Sequence, residues 1–211
     1  MSGGSLVSAG TRQRVRDLAT PIATGLGRLG LSPNALTFIG FGGTAVAALA
    51  AANQWWLAAG ILVLAFGIFD LFDGALARAT NRASRLGAFL DSTFDRSGEA
   101  LIYIGIAAGA LAIGFSTGAV LAAAAMAAAL LVSYVRAKAE SLGFSPGSGM
   151  MNVGLAPREV RTAIVGLALI AAGIAGSVTQ ILGGALALIA ILAAITVIQR
   201  ILHVRAQAGE G

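Results

Sequence analysis

The sequence is poor in the side chains on which many soluble enzymes depend. It contains no cysteine, which excludes disulfide bonds and thiolate zinc sites. The single histidine, His203, excludes a Ser/His/Asp triad elsewhere in the chain. Charged residues make up only 11% of the chain, while 57% of its residues are hydrophobic and the mean hydropathy is +0.87. This composition excludes an ordinary soluble globular protein, and the 29 glycines are typical of closely packed transmembrane helices.

Acidic residues are scarce as well. The chain has nine Asp and Glu residues and fourteen Lys and Arg residues, so that the formal net charge is +5. The cations of such an apolar chain must lie in its few polar segments, which favours anionic lipids or phosphorylated substrates over nucleic acid as partners. The N-terminus has no apolar core followed by a cleavage site, so we do not expect a signal peptide.

The hydrophobic pattern predicts an all-α integral membrane protein with six transmembrane helices and an N-terminal interfacial amphipathic helix. Within 11–29, apolar residues recur at helical spacing beside arginines, as in a helix that lies along a membrane surface; a plain juxtamembrane tail is the alternative. Ser32 and Pro33 suit the N-cap and the first residue of the first span, and Pro157 suits the first residue of the fifth.

Each predicted span has the length of about 20 residues that the hydrocarbon core requires. The six spans are 34–52, 56–78, 88–113, 118–141, 158–176 and 180–203. We divide the chain into a tail with the interfacial helix (1–29), a six-helix domain (30–205) and a polar C-terminal tail (206–211).

The positions of the cations predict the topology. All fourteen lie before the first span, at or near the facing ends of the second and third spans or of the fourth and fifth, or at the end of the sixth. The opposite turns, near 53–56, 114–118 and 176–180, carry no charge. The positive-inside rule therefore predicts an integral membrane protein of the cell membrane, with both termini and the segment from Asp70 to Asp95 in the cytoplasm. Trp55 and Trp56 suit the outer aromatic belt.

Four of the nine acidic residues lie close together, at Asp70, Asp73, Asp91 and Asp95. Each pair is three or four residues apart and so shares one helix face. Carboxylates that converge in a partly dry site need cations, and an all-oxygen ligand set favours Mg²⁺ or Mn²⁺ over zinc. Two such ions about 4 Å apart can clamp a phosphate during displacement. The alternative is a cluster of Asp–Arg ion pairs that only holds helices together.

These residues complete the pattern D-x2-D-G-x2-A-R-x8-G-x3-D-x3-D between Asp70 and Asp95, with eight fixed positions over 26 residues. In this pattern the chain resembles the CDP-alcohol phosphotransferases. The resemblance implies an integral membrane enzyme, usually a homodimer, in which an alcohol attacks the lipid-side phosphorus of a CDP-linked lipid and CMP leaves.

The resemblance also implies roles for individual residues. Asp70, Asp73 and Asp91 match ligands of two divalent ions, and Asp95 matches the general base, which also touches metal. Matches to positions that contact the CDP group are Asn34, Thr37, Gly74, Arg78 and Ser84.

A second cationic cluster, near the ends of the fourth to sixth spans, is predicted to bind an acceptor that carries a phosphate. Its residues are Ser133, Arg136, Lys138, Arg158, Arg161 and Arg200. The string S-Y-V-R-A-K-A-E-x-x-G and the later G-x3-R-x2-R resemble the phosphatidylinositol-phosphate synthase branch, whose acceptor is inositol 1-phosphate. Pro157 departs from this branch, which commonly has an acidic residue there. Basic residues that only flank cytoplasmic span ends are the alternative for this cluster.

The sequence leaves two other functions open. Transfer to glycerol 3-phosphate or another polar alcohol needs similar cations. A divalent-cation transporter is the remote alternative, because the aspartates cluster at span ends and not at the membrane midplane.

Overall fold

The computed structural model describes residues 20–80, 84–144 and 153–209, except for the side chains of Asp70, Leu71 and Asp73. These ranges contain eight α-helices and no strand. Their bounds are α1 at 20–28, α2 Pro33–Ala52, α3 Trp56–Gly67, α4 Phe69–Ala79, α5 Arg85–Ala112, α6 Ser116–Ser141, α7 Arg158–Ala175 and α8 Val178–Gly209. The prediction of an all-helical fold is therefore confirmed for the described residues.

Helices α2 and α7 begin at or next to the prolines that the sequence indicates. Ser32 caps α2, because its side chain accepts a hydrogen bond from the Ala35 N–H at 3.2 Å, and Pro33 is the first helical residue, as predicted. Pro157 lies one position earlier than predicted: it is the N-cap residue of α7, and the helix begins at Arg158.

The predicted second span, 56–78, is two helices rather than one. The hydrogen-bonded ladder stops at Gly67 and resumes at Phe69, so that Ile68 separates α3 from α4. Glycine has a low helix propensity, and a Cβ at Gly67 would lie 3.2 Å from Thr162 of α7. The break therefore coincides with a close approach between α3 and α7.

Among the described residues, three helices are long and apolar enough to cross a membrane: α2, α6 and α8. Helices α5 and α7 have the length, but charged residues occupy their N-terminal portions. Large apolar side chains also face outward, among them Leu49, Val120 and Ile174. An apolar exterior on apolar helices is the arrangement of a membrane protein.

Small residues allow the helices to pack closely. The core contains Ala47, Ala51, Ala122 and Ala125, all fully buried. Gly105 of α5 lies so close to the backbone of α2 that a Cβ there would overlap the Ala48 carbonyl. Helix α2 packs against α3, α4 and α5, while α7 packs against α3 and α8, and α6 against α5 and α8.

Helix α1 packs against residues of α2 and α4. Ala23 is fully buried in a cluster with Leu36, Ala75 and Leu76, whereas Ile22 and Leu29 are exposed. The part of the predicted interfacial helix before residue 20 lies outside the described residues.

Candidate active site

The acidic residues of the motif lie on α4 and α5, which are both packed against α2. Asp91 and Asp95 are one turn apart on α5 and half-buried. Asp70 and Asp73 belong to α4, but their side chains lie outside the part of the molecule that the structure describes. The described part of the predicted four-carboxylate cluster is therefore the pair Asp91 and Asp95 on α5.

The start of α5 lies against the start of α2. Ser84 is the N-cap of α5, and its hydroxyl accepts a hydrogen bond from the Gly87 N–H at 2.9 Å. A Cβ at Gly87 would lie 3.0 Å from the Ser84 hydroxyl and 3.2 Å from Oδ1 of Asn34. Asn34 and Ser84, two residues predicted to contact the CDP group, are thus adjacent, and only a residue without a side chain leaves the space between them open.

The other predicted CDP contacts lie nearby on α2 and α4. Thr37 is buried, and its hydroxyl donates to the Pro33 carbonyl at 3.2 Å. Arg78 is exposed, and its guanidinium folds back over Gly74, where an added Cβ would lie 3.3 Å from Nη1. Gly74 thereby lets a cationic group lie close to the helix backbone.

Asp95 is the point at which the two predicted clusters meet. Its side chain is 14% exposed and pairs with two guanidinium groups: Arg96 Nη1 lies 3.1 Å from Oδ2, and Arg158 Nη1 lies 3.0 Å from Oδ1. Arg96 is the next residue on α5, whereas Arg158 is the first residue of α7. The proposed base and a proposed acceptor-binding residue are therefore in direct contact.

Arg161 lies one turn further along α7 and is almost completely buried. Its side chain is 1% exposed and forms a two-pronged ion pair with Glu99: Nε donates to Oε1 and Nη2 donates to Oε2, both at 2.7 Å. Its Nη1 also donates to the Ala156 carbonyl at 2.6 Å. Arg161 thus binds protein groups on three of its nitrogens. A cavity of about 30 Å³, the space of roughly one water molecule, is lined by Glu99, Arg158 and Arg161.

The remaining residues of the predicted acceptor site lie on α6 and α8. Arg200 is buried and donates to the Val153 carbonyl at 3.1 Å and the Val132 carbonyl at 2.6 Å. Arg136 pairs with Glu140 at 2.8 Å. Ser133 is half-buried and Lys138 is exposed. Contacts from α7 to α5 and from α8 to α6 therefore bring the cations to the same end of the bundle as the aspartates.

Comparison with known proteins identifies the family. The family model described as CDP-alcohol phosphatidyltransferase matches residues 30–201. The chain belongs to the CDP-alcohol phosphatidyltransferase family. This phosphatidyltransferase is 37% identical over 193 residues to the archaetidylinositol phosphate synthase of Pyrococcus horikoshii, with 90% of this chain and 92% of the relative covered. It is 38% identical over 193 residues to the phosphatidylinositol phosphate synthase of Cutibacterium acnes, with 88% and 91% covered.

Solved structures agree with this assignment. The crystal structure of Mycobacterium tuberculosis phosphatidylinositol phosphate synthase with CDP-DAG bound is similar with a TM-score of 0.78 and 28% identity, over 89% of this chain and 94% of that one. The same protein in complex with manganese and citrate gives a TM-score of 0.77 at 28% identity, over 89% and 88%. Our protein is therefore a membrane enzyme, a transferase of phosphatidyl groups.

The residues of this phosphatidyltransferase suit a divalent metal ion. Asp91 and Asp95 offer carboxylate oxygens on one face of α5, and α4, which bears Asp70 and Asp73, packs on the same helix, α2. Neither histidine nor cysteine occurs in the motif. This donor set is the one that Mg²⁺ and Mn²⁺ prefer.

Glu99 of the phosphatidyltransferase forms an ion pair that the sequence did not predict. Glu99 lies one turn after Asp95 and holds Arg161. The signal was present, because a carboxylate within an apolar helix is rare and generally has a partner. The spacing did not identify that partner, which comes from 62 residues further along the chain.

Proposed function

We propose that this enzyme transfers a phosphatidyl group from CDP-diacylglycerol, or its archaeal ether counterpart CDP-archaeol, to inositol 1-phosphate. The products are phosphatidylinositol phosphate and CMP. The complete eight-position motif and the names of relatives that cover most of the chain support this reaction. The single observation that carries the proposal is the contact between Asp95 and Arg158, because it joins the acidic motif to the cationic cluster.

In this reaction the acceptor hydroxyl attacks the lipid-side phosphorus of the CDP-lipid. The bond from that phosphorus to the bridging oxygen of the pyrophosphate breaks, and CMP leaves with the bond electrons. Asp95 takes the proton of the attacking hydroxyl as general base, a role that requires a carboxylate within hydrogen-bond reach of the nucleophile. Asn34, Thr37, Gly74, Arg78 and Ser84 hold the CDP group.

The acceptor's phosphate is bound by the cationic cluster around Arg158. Guanidinium groups suit phosphate oxygens because their N–H donors match them in geometry and charge. Residues proposed for this site are Ser133, Arg136, Lys138, Arg158, Arg161 and Arg200. The ion pair of Arg158 with Asp95 supports it, since a phosphate bound there brings the rest of the acceptor close to the base.

Asp70, Asp73, Asp91 and Asp95 would hold two ions of Mg²⁺ or Mn²⁺. When bound, such ions offset the negative charge that develops on the bridging and leaving oxygens. The relative whose structure contains manganese supports a metal requirement.

For the membrane arrangement we propose six spans, with α3 and α4 together forming the second. The domain then runs over 30–205, α1 lies at the cytoplasmic interface, and both termini and the site face the cytoplasm. The uncharged turns at 53–55, 113–115 and 176–177 support this orientation. We also propose a homodimer, as the family resemblance implies.

Metal-dependent release of CMP by the purified protein tests the reaction. CDP-diacylglycerol and CDP-archaeol are each supplied with inositol 1-phosphate, glycerol 3-phosphate, free inositol or serine, with EDTA as the control. We expect release with inositol 1-phosphate and its loss in EDTA. Release with glycerol 3-phosphate alone would refute the proposed acceptor and retain the reaction class.

The role of Asp95 is tested separately. Asp95→Asn keeps the size of the side chain but cannot accept the proton, so we expect turnover to fall by about 10²-fold or more. Binding of CDP-diacylglycerol, measured by calorimetry, should largely survive. Turnover close to that of the unmodified enzyme would exclude Asp95 as the base.

A further inference from the structure

Thr196 lies in the apolar helix α8, outside the motif and the cationic cluster, and is fully buried. Its hydroxyl donates to the Leu192 carbonyl at 2.8 Å, which is the usual bond of a threonine in a helix. The same oxygen also accepts hydrogen bonds from two consecutive backbone groups, the N–H of Leu155 at 3.1 Å and the N–H of Ala156 at 3.0 Å. One donated and two accepted bonds exhaust the capacity of a hydroxyl group.

The Thr196 side chain also fits the shape of the segment that it binds. Gly154 has a φ of +118°, a conformation that side-chain-bearing residues rarely adopt, and a Cβ there would overlap Cγ2 of Thr196. The hydroxyl and the methyl group therefore both contact the segment 153–157. A purely local role in α8 requires neither contact.

The segment 153–157 leads directly into the start of α7. Pro157 caps that helix, and its carbonyl accepts the N–H groups of Val160 and Arg161 at 3.1 and 3.2 Å. Arg158 follows and reaches Asp95. Only Pro157 separates the Ala156 N–H that Thr196 holds from the residue that contacts the proposed base, so a shift of the segment displaces Arg158.

Two cations hold the same segment through its carbonyl groups. Arg161 donates to the Ala156 carbonyl and Arg200 to the Val153 carbonyl. Thr196 binds the N–H groups, which a cation cannot do because it has no acceptor. Loss of the threonine hydroxyl would thus leave the segment attached at two points but free to shift at Leu155 and Ala156.

We propose that Thr196 is a positioning residue for the acceptor site: it fixes the segment 153–157 so that Arg158 meets Asp95. This inference rests on the proposed function, because it assigns Arg158 to binding of the acceptor's phosphate.

The test compares Thr196→Val, which keeps the shape and removes the acceptor oxygen, with Thr196→Ser, which keeps the oxygen. We expect Thr196→Val to raise KM for the acceptor about tenfold or more. Two buried N–H groups lose their acceptor, and the segment 153–157 then shifts together with Arg158. KM for the CDP-lipid should stay within about twofold, and Thr196→Ser should restore most of the loss. Thr24→Val is the control, because the Thr24 hydroxyl bonds to the Thr20 carbonyl within its own helix, α1. Thr196→Ala carries the same expectation if the valine variant does not fold.

A double variant distinguishes action through Arg158 from a general loss of structure. In an Arg158→Gln background, Thr196→Val should change the acceptor KM by less than about twofold, because residues that act through one group are not additive. Equal changes in both KM values, an unchanged acceptor KM, or a full effect in the Arg158→Gln background would each overturn the proposal.

Binding of inorganic phosphate, measured by calorimetry, separates this inference from the proposed reaction. Thr196→Val should weaken phosphate binding and Thr196→Ser should retain it, whichever alcohol accepts the phosphatidyl group. Equal phosphate affinity in the unmodified protein and Thr196→Val would refute the role of Thr196. Failure of inositol 1-phosphate to support CMP release would instead refute the proposed acceptor alone.

Discussion

Removal of the Glu99 carboxylate should destabilise the protein strongly, because it leaves a charged group buried. Arg161 is 1% exposed and Glu99 is 9% exposed, and the two side chains share two hydrogen bonds of 2.7 Å. In Glu99→Gln, one N–H of the Arg161 guanidinium still donates to the amide oxygen, but the other faces the amide NH₂ group. The positive charge of Arg161 then has no counterion. Breaking a buried pair on one side costs about 3–5 kcal/mol.

An exposed pair of the same chemistry provides the control. Arg136 and Glu140 are 2.8 Å apart and their side chains are 31% and 34% exposed. Solvent screens such a pair, so Glu140→Gln should cost about 0.5 kcal/mol or less. The two substitutions differ mainly in burial, and burial is therefore what the comparison measures.

The free energy of unfolding can be followed by circular dichroism during titration of detergent micelles with SDS. The double variant Glu99→Gln/Arg161→Gln should be more stable than either single variant, since it leaves no unpaired charge. A cost of less than about 1 kcal/mol for Glu99→Gln, the value of a surface pair, would refute the reasoning. Simple additivity of the two single variants would refute it as well.

Three further predictions concern the packing and the site. Ser84→Ala should lower the free energy of unfolding by about 1 kcal/mol, because α5 loses its N-cap hydrogen bond. Gly105→Ala should cost about 1–3 kcal/mol, since the new methyl group overlaps the Ala48 carbonyl. Gly42→Ala, with no neighbour within 4 Å, should be neutral or stabilising by up to about 1 kcal/mol in the same unfolding assay. Mn²⁺ at 100 times its Kd should stabilise the unmodified protein by about 2.7 kcal/mol, and Asp91→Asn should need more Mn²⁺ for the same effect.

The sequence predicted the elements of this fold well where the signal is local. The cap at Ser32, the helical character of the spans and the uncharged turns all follow from residues within a few positions of one another. The break after Gly67 was missed, because the run from 56 to 78 is apolar on both sides of it. One glycine in such a run does not by itself end a helix.

The contacts of the candidate site could not be predicted in the same way. Arg161 meets Glu99 and Arg200 meets Val132 across 62 and 68 residues of sequence. The sequence placed these arginines at one end of the bundle but did not identify their partners. An amphipathic stripe normally tells which face of a helix points inward, and α8 has apolar residues on all sides.

Thr196 and Arg200 explain why one particular face of α8 nevertheless points toward the protein. They are four residues apart and so share one face, and both are buried on segment 153–157. Lipid offers their polar atoms no hydrogen-bond partner, so this face must turn toward the protein. A rotation of α8 by one residue, about 100°, would move both side chains away from the segment. Thr196 and Arg200 thus orient α8, and through the segment before α7 they influence where Arg158 meets Asp95.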